Sequence, residues 1–224
     1  MGKEQKTEKA ISVVEKNEKG QAKMSSGYRV VWTVIRPFLF FFWRLKFFGE
    51  QNVMNTKGGC IVVCNHLSLK DPVILALGIH RRIRFMAKEE LFEKNKFFAW
   101  LIRNLGAFPI NRHSNDTSGI RTAMTSIKNG EVVIIFAEGT RSKTGELSPF
   151  ERGVAFIAQS CKCEVVPANI CFEKINGKRY VDFGEPVNIP ELIKSIEKNQ
   201  RLDTISQLLH QKVYDLHQEQ LARK

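Results

Sequence analysis

Two hydrophobic rhythms divide this chain. Residues 28–48 form one dense apolar stretch, with Trp32, Phe38, Phe40, Phe41, Phe42, Trp43, Phe47 and Phe48 set among basic residues. From residue 58 onward, short apolar runs end abruptly in polar clusters and are separated by amphipathic segments, the rhythm of an α/β domain. The runs predict strands at 60–64, 83–87, 132–137, 164–171 and 180–183. Helices are expected at 72–77, 97–104, 118–128 and 154–160, with a polar C-terminal helix over 191–222 that breaks near Asn199. Asn176-Gly177 between alternating arms signals a hairpin, so the sheet should be mixed. The expected fold is therefore α/β: a mixed, largely parallel central sheet flanked by helices.

The stretch 28–48 could be a membrane span, but a spanning helix wants about 20 predominantly apolar residues. Here Arg36 and Pro37 interrupt the middle, and Arg44 and Lys46 lie near the end. A charge at the bilayer centre costs at least ~2.5 kcal/mol. Aromatic and basic residues together fit a segment lying in the membrane interface, as two short helices bent at Pro37. The plainer alternative is a helix covering the domain's own core. Residues 1–27 are rich in Lys, Glu, Gln and Ser, which predicts a mobile tail. No small-residue cleavage site follows the apolar stretch, so it does not read as a signal peptide. Three parts result: a polar tail at 1–27, an aromatic-basic membrane-associating segment at 28–57, and a folded domain at 58–224.

Composition narrows the partners. The 224 residues suffice for one domain with a proper core, and 43% hydrophobic with 26% charged content is ordinary. A formal net charge of +12 is not ordinary. It favours anionic partners: nucleic acid, an anionic lipid surface, a phosphorylated substrate or an acidic carrier protein. The five cysteines, Cys60, Cys64, Cys161, Cys163 and Cys171, follow no zinc-ligand spacing and leave one over. They read as reduced thiols of a cytosolic compartment, serving as small buried hydrophobes.

The polar clusters after the apolar runs carry the chemistry. Open α/β sheets place their sites beyond the carboxyl ends of the strands. The run 60–64 is followed by Asn65-His66-Leu67-Ser68-Leu69-Lys70-Asp71. On one continuous helix His66 and Asp71 would diverge by about 140°. They meet only if His66 precedes a helix that starts near Asp71, and Pro72 suits the first helical position. Asp71 can then act as N-cap, as a brace for the imidazole, or as both, since a carboxylate has two oxygens. The run 132–137 is followed by Glu138-Gly139-Thr140-Arg141-Ser142. Gly139 permits an unusual turn and Arg141 offers a planar fork for phosphate, with Thr140 as a further donor. Glu138 can orient Arg141 or bind a substrate hydroxyl; a surface ion pair is the plainer alternative. Lys88 and Arg112 also follow apolar runs, which would complete a ring of cations around one crevice.

Four blocks in order make the chain resemble the glycerolipid acyltransferase family, specifically the 1-acylglycerol-3-phosphate acyltransferases. They are Asn65-His66 with Asp71; Lys88 to Phe92 with Gly106 to Arg112; Phe136 to Ser142; and Val165-Val166-Pro167-Ala168-Asn169-Ile170. The resemblance covers roughly residues 58 to 187 and implies a glycerol-3-phosphate acyltransferase-like fold. Two positions depart from the family pattern: Ala137 stands where proline is usual, and Glu151 where a basic residue is common.

The resemblance implies acyl transfer from acyl-CoA or acyl-carrier protein to the sn-2 hydroxyl of lysophosphatidic acid, giving phosphatidic acid in phospholipid biosynthesis. His66 would be the general base and Asp71 its brace. Lys88, Arg112, Glu138, Gly139, Thr140 and Arg141 would bind the substrate phosphate. Backbone amides near Asn65, or in the helix after Asp71, would supply an oxyanion hole. No metal or other cofactor is expected, because a thioester needs no further activation. The implied partners are lysophosphatidic acid, the acyl donor and a lipid bilayer surface, with no nucleic acid. The expected location is the cytoplasmic face of a membrane, as a monotopic protein. Glycerol 3-phosphate or another lyso-lipid is the alternative acceptor. Two further rivals are a covalent route through Cys64 and a non-catalytic basic membrane- or nucleic-acid-binding domain.

Overall fold

The computed structural model describes residues 15–24, 26–93, 95–110, 117–142, 144–175 and 178–223. Its centre is β2 (Cys60–Cys64), a strand buried at every position. On one side β2 pairs in parallel with β5 (Val132–Phe136), and on the other with β6 (Glu164–Ile175). Beyond β5 lie β3 (Ile83–Lys88) and β4 (Ala107–Ile110), also parallel. Beyond β6 the sheet turns mixed. β7 (Lys178–Phe183) runs antiparallel to β6, and β1 (Leu45–Phe48) forms the edge parallel to β7. A short β8 (Val187–Asn188) pairs antiparallel with β6. Continuous apolar runs such as CIVVC and VVIIF suit strands covered on both faces.

Successive side chains of β2 point to opposite faces, and each face has its own core. Cys60, Val62 and Cys64 pack with Ile74 and Leu75 of helix α3 (Asp71–Gly78). Ile61 and Val63 pack with Val154, Ala155 and Ile157 of α6 (Arg152–Cys161) and with Ile205, Leu209 and Val213 of α8 (Arg201–Ala222). Each buried Val, Ile or Leu among these contributes about 1.5–3 kcal/mol by leaving water. The remaining helices are α1 (Ser26–Trp43), α2 (Glu50–Asn55), α4 (Lys96–Asn104), α5 (Ser118–Lys128) and α7 (Ile189–Leu192). The expected C-terminal helix is interrupted between Leu192 and Arg201, close to Asn199.

Three expectations need correction. First, α1 is one continuous helix through Pro37 rather than two bent at it, and 45–48 is a sheet strand, not interfacial helix. Arg36 does not interrupt an apolar face there. Its Nε donates to the Leu77 carbonyl (3.0 Å) while Trp32 Nε1 donates to that of Ala76 (3.2 Å). Together they add donors at the carbonyl-rich C-terminus of α3, where Ala76 O also accepts from Ile79 N. Among the described residues, no helix is long and apolar enough to cross a membrane.

Second, residues 15–24 are not a mobile tail. Gln21 is buried and its amide donates to the Met54 and Thr56 carbonyls, both at 2.9 Å. Ala22 N donates to Gly130 O (2.9 Å), and Lys19 O accepts from Gly58 N (2.8 Å). A polar composition conceals this docking because it is made largely by hydrogen bonds, with buried Ala22 and half-buried Met24 adding a little apolar contact. Residues 1–14 lie outside the described residues, as does the Asn176-Gly177 turn. β6 and β7 on either side of that turn are paired antiparallel, Ile175 opposite Lys178.

Third, Asp71 is not a helix cap. Its side chain makes no capping bond within α3 and turns back toward the chain that precedes it.

Candidate active site

The site begins where β2 stops. Asn65, directly after the strand, uses its side-chain amide as a last rung of the sheet. Its Nδ2 donates to Ile170 O (3.0 Å) and its Oδ1 accepts from Ile170 N (2.9 Å). The backbone is thereby released from the ladder at His66 while Asn65 remains pinned to β6.

Two buried carboxylates then hold the released turn. Asp71 Oδ2 accepts from Leu67 N (2.7 Å), Ser68 N (2.8 Å) and His66 Nδ1 (2.8 Å). Glu138 Oε1 accepts from His66 N at 2.8 Å, and its Oε2 accepts from Ser148 N at 3.0 Å. Ser142 N returns a bond to His66 O (2.8 Å), closing the two loops on each other. Because a carboxylate only accepts, Nδ1 carries the proton toward Asp71, and Nε2 is left as the basic ring nitrogen. The Asp71 side chain is wholly buried, whereas 14% of the His66 side-chain surface reaches solvent. The His66 ring also stacks on Phe136, with centroids 4.1 Å apart.

These bonds overturn one sequence expectation and narrow another. Glu138 does not reach toward a substrate phosphate or hydroxyl; both of its oxygens are spent on main-chain amides in the interior. The amides of His66, Leu67 and Ser68 are spent as well, so none can serve an oxyanion. At the start of α3 several donors are also committed, while the amides of Leu69 and Val73 lie outside these bonds. Pro72 has no N–H, Asp71 N donates to Ser68 O, and Ile74 N to Lys70 O.

The cations stand at the same end of the sheet. β3 and β5 pair in register with Phe85 opposite Ile134, which brings the end of β3 level with the end of β5. Lys88 is exposed there, and Thr140 and Arg141 are exposed in the turn after β5. Gly139 turns that loop with φ +70°, and a methyl group on it would lie 2.2 Å from Glu151 Oε1. Glu151, the residue that departs from the family pattern, thus rests its carboxylate against this loop. Arg112 lies outside the described residues, two positions beyond the end of β4 at Ile110. Sequence reasoning passed over Asn65 as an anchor, Phe136 as a ring partner and Ser148 as a donor. The first two adjoin the motif residues; Ser148 carries no local signal.

Cys64 is fully buried and its Sγ donates to Asn65 Oδ1. Burial, and then the nearby Asp71 and Glu138 charges, push its thiol well above the ordinary range. A protonated interior thiol is a poor nucleophile. Two concavities lie away from His66. One, of about 340 Å³, is bounded by Phe48, Asp182 and α8; the other, of about 570 Å³, is at the opposite end of β2 beside Gly59 and Glu164.

A largely parallel sheet that presents a carboxylate-braced imidazole beyond its central strand defines an α/β enzyme. The chain belongs to the Acyltransferase family, whose model matches residues 44–171. The 1-acyl-sn-glycerol-3-phosphate acyltransferase of Bacillus subtilis (strain 168) is 32% identical to it, across 77% of this chain and 87% of its own length. The enzyme of that name from Streptococcus pneumoniae is 28% identical, across 77% and 68%. The crystal structure of the 1-acyl-sn-glycerophosphate (LPA) acyltransferase PlsC from Thermotoga maritima superposes with a TM-score of 0.64 at 28% identity. That match covers 85% of this chain and 81% of the other. The fold and the acyl-transfer activity expected from the four sequence blocks are borne out.

Proposed function

We propose that this protein moves a fatty acyl group from a thioester, acyl-CoA or acyl-carrier protein, to the sn-2 hydroxyl of 1-acylglycerol 3-phosphate. The product is phosphatidic acid. The observation that carries this reading is the 2.8 Å bond from His66 Nδ1 to buried Asp71 at the carboxyl end of β2, in a chain of this family.

In the reaction the acceptor hydroxyl loses its proton to His66 Nε2 as its oxygen attacks the thioester carbonyl carbon. Such general-base assistance is worth typically ~10²–10⁴-fold. Asp71 remains ionised and stabilises the imidazolium that forms. Collapse of the tetrahedral intermediate breaks the C–S bond, and the departing thiolate recovers the proton from the imidazolium. The hydroxyl comes from the acceptor, so no enzyme nucleophile is required, which agrees with a buried, protonated Cys64. The thioester brings its own activated carbonyl, and no cofactor enters the scheme.

Arg141 and Lys88 are the cations offered to the acceptor phosphate, with Arg112 as a third, while Gly139 and Thr140 shape the loop. The acceptor and product are lipids, and α1 supplies a surface for them. Phe38, Phe41 and Phe42 are 73%, 86% and 82% exposed on the helix whose other face packs against α3. An exposed aromatic row on a basic protein suits an interfacial position on the cytoplasmic face of a bilayer. Nothing in this arrangement calls for nucleic acid.

The test is a panel of acceptors (lysophosphatidic acid, glycerol 3-phosphate, other lyso-lipids) with both donor types, using purified protein on lipid vesicles. Lysophosphatidic acid should be the preferred acceptor, and His66→Ala should abolish transfer. Retained transfer in His66→Ala would refute the assignment of the base. Preference for another acceptor would reassign the substrate alone.

A further inference from the structure

Asp71 controls only one edge of the His66 ring, and the main-chain bonds hold only its backbone. A ring fixed at Nδ1 can still tilt about that bond and sweep Nε2 through an arc. Phe136 is placed to stop this. It is the last residue of β5 and pairs in register with Cys64, the last residue of β2, so it stands beside the point where His66 leaves the sheet. The two rings are nearly parallel, 20° apart in plane, with centroids 4.1 Å apart. Phe136 is itself held, since its carbonyl accepts from Gly139 N (3.2 Å) at the start of the turn that also bonds His66.

Contact with a flat face matters for a second reason. When the base takes its proton, the imidazole becomes a cation lying over the negative face of a phenyl ring. A cation within about 6 Å of an aromatic centroid is stabilised by the ring quadrupole. The gain is larger for imidazolium than for neutral imidazole, so it grows as the proton is transferred. An aliphatic side chain of similar bulk would fill the space without this preference.

We propose that Phe136 is a positioning residue for the acyl-transfer step. It holds the plane of His66 so that Nε2 stays aimed, and it favours the protonated ring formed during attack. This rests on the reading of His66 as the general base. The role predicts a loss in turnover rather than in substrate binding, because the stack acts on the base and touches neither substrate.

The experiment compares Phe136→Leu, Phe136→Met and Phe136→Tyr in the full-length protein on lysophosphatidate-containing vesicles, recording kcat, both KM values and thermal midpoints. Leucine and methionine should each lower kcat about tenfold, the size expected of a lost cation–ring contact, with KM within about twofold. Tyrosine, which keeps a ring face, should restore kcat to within about twofold of the parent. Leucine or methionine variants at the parental kcat would overturn the inference, as would a tyrosine variant as slow as they are. Methionine fills irregular space well and guards against a leucine variant that fails to fold. If Phe136→Leu is fully active while His66→Ala is dead, this inference alone fails. If His66→Ala is active, the reading beneath it fails too.

Discussion

Glu138 and His66 lie 72 positions apart in the chain, yet the carboxylate of one accepts the main-chain N–H of the other at 2.8 Å. The relationship joins the ends of two adjacent parallel strands and makes the third sequence block a support for the first. A motif glutamate three positions before a motif arginine invites the idea of an ion pair or a substrate contact. Here the glutamate is a buried acceptor for two amides, and the arginine is exposed.

Glu138→Gln should therefore damage the protein from within. The amide keeps one acceptor oxygen but sets an NH₂ against either His66 N or Ser148 N. Leaving a buried donor unsatisfied costs about 1–3 kcal/mol, and the displaced His66 should slow turnover on the order of 10²-fold. Denaturant midpoints and kcat on one preparation check both effects. A variant equal to the parent in both would show that these bonds do not matter.

Asp71→Asn separates charge from geometry. The carboxamide oxygen can keep the Leu67 and Ser68 amides, so the turn should persist. Its NH₂ then takes the place of Oδ1, which is buried without a partner. Only a modest fall in thermal midpoint is expected. Activity should drop on the order of 10³-fold, because a neutral neighbour no longer stabilises the imidazolium. Comparable losses of fold and activity would point to scaffolding instead.

The cysteines set an alkaline limit. Burial raises the thiols of Cys60, Cys64, Cys161 and Cys163 above their ordinary value of 9.0. Above that pH the unfolded chain releases these protons while the folded chain retains them, so stability falls as pH rises. Thermal midpoints should decline from pH 9 upward, and less steeply in Cys64→Ala. The same variant should keep its activity, and native protein should resist alkylation at neutral pH.

At Gly139 two obstacles coincide. A φ of +70° disfavours any side chain, and a methyl group would meet Glu151 Oε1 at 2.2 Å. Glu151 is exposed and can swing aside, so the backbone strain of about 1–2 kcal/mol should decide the outcome. Gly139→Ala should lose activity, and adding Glu151→Gln should not restore it. Glu151→Gln alone removes a negative charge beside the loop. An exposed charge of this kind is worth up to about 1 kcal/mol, so KM for a phosphate-bearing acceptor should fall about two- to fivefold. Steady-state kinetics with lysophosphatidic acid would show either result to be absent.

The aromatic row on α1 makes a separate prediction. Phe41 and Phe42 are exposed, so changing both to serine should leave the thermal midpoint untouched. If they enter a lipid interface, each forfeits about 1.5–3 kcal/mol of burial, and vesicle partitioning should fall by on the order of 10² or more. Co-sedimentation with anionic vesicles measures it. Undiminished binding would place the lipid contact elsewhere.

What local sequence could express, it expressed. Strand 60–64 and helix 118–128 form over the residues that periodicity marks, because burial on two faces or on one stripe is written in adjacent residues. His66 and Asp71 were readable as a pair for the same reason. Five residues separate them, and Pro72 limits how a helix can begin between them.

Contacts between distant segments were settled only on folding. Polar residues 15–24 gave no apolar signal, yet they dock through side-chain and main-chain hydrogen bonds whose partners lie up to 112 positions away. The sequence showed that Arg36 broke an apolar stretch; the end of α3 explains where its charge goes. Glu138 carried a recognisable motif, but whether its carboxylate would meet substrate, Arg141 or the interior depended on where β5 lay beside β2. The residues specify which groups can donate, accept or ionise. Only the packed sheet decides which of those capacities are already consumed within the protein and which remain for a ligand.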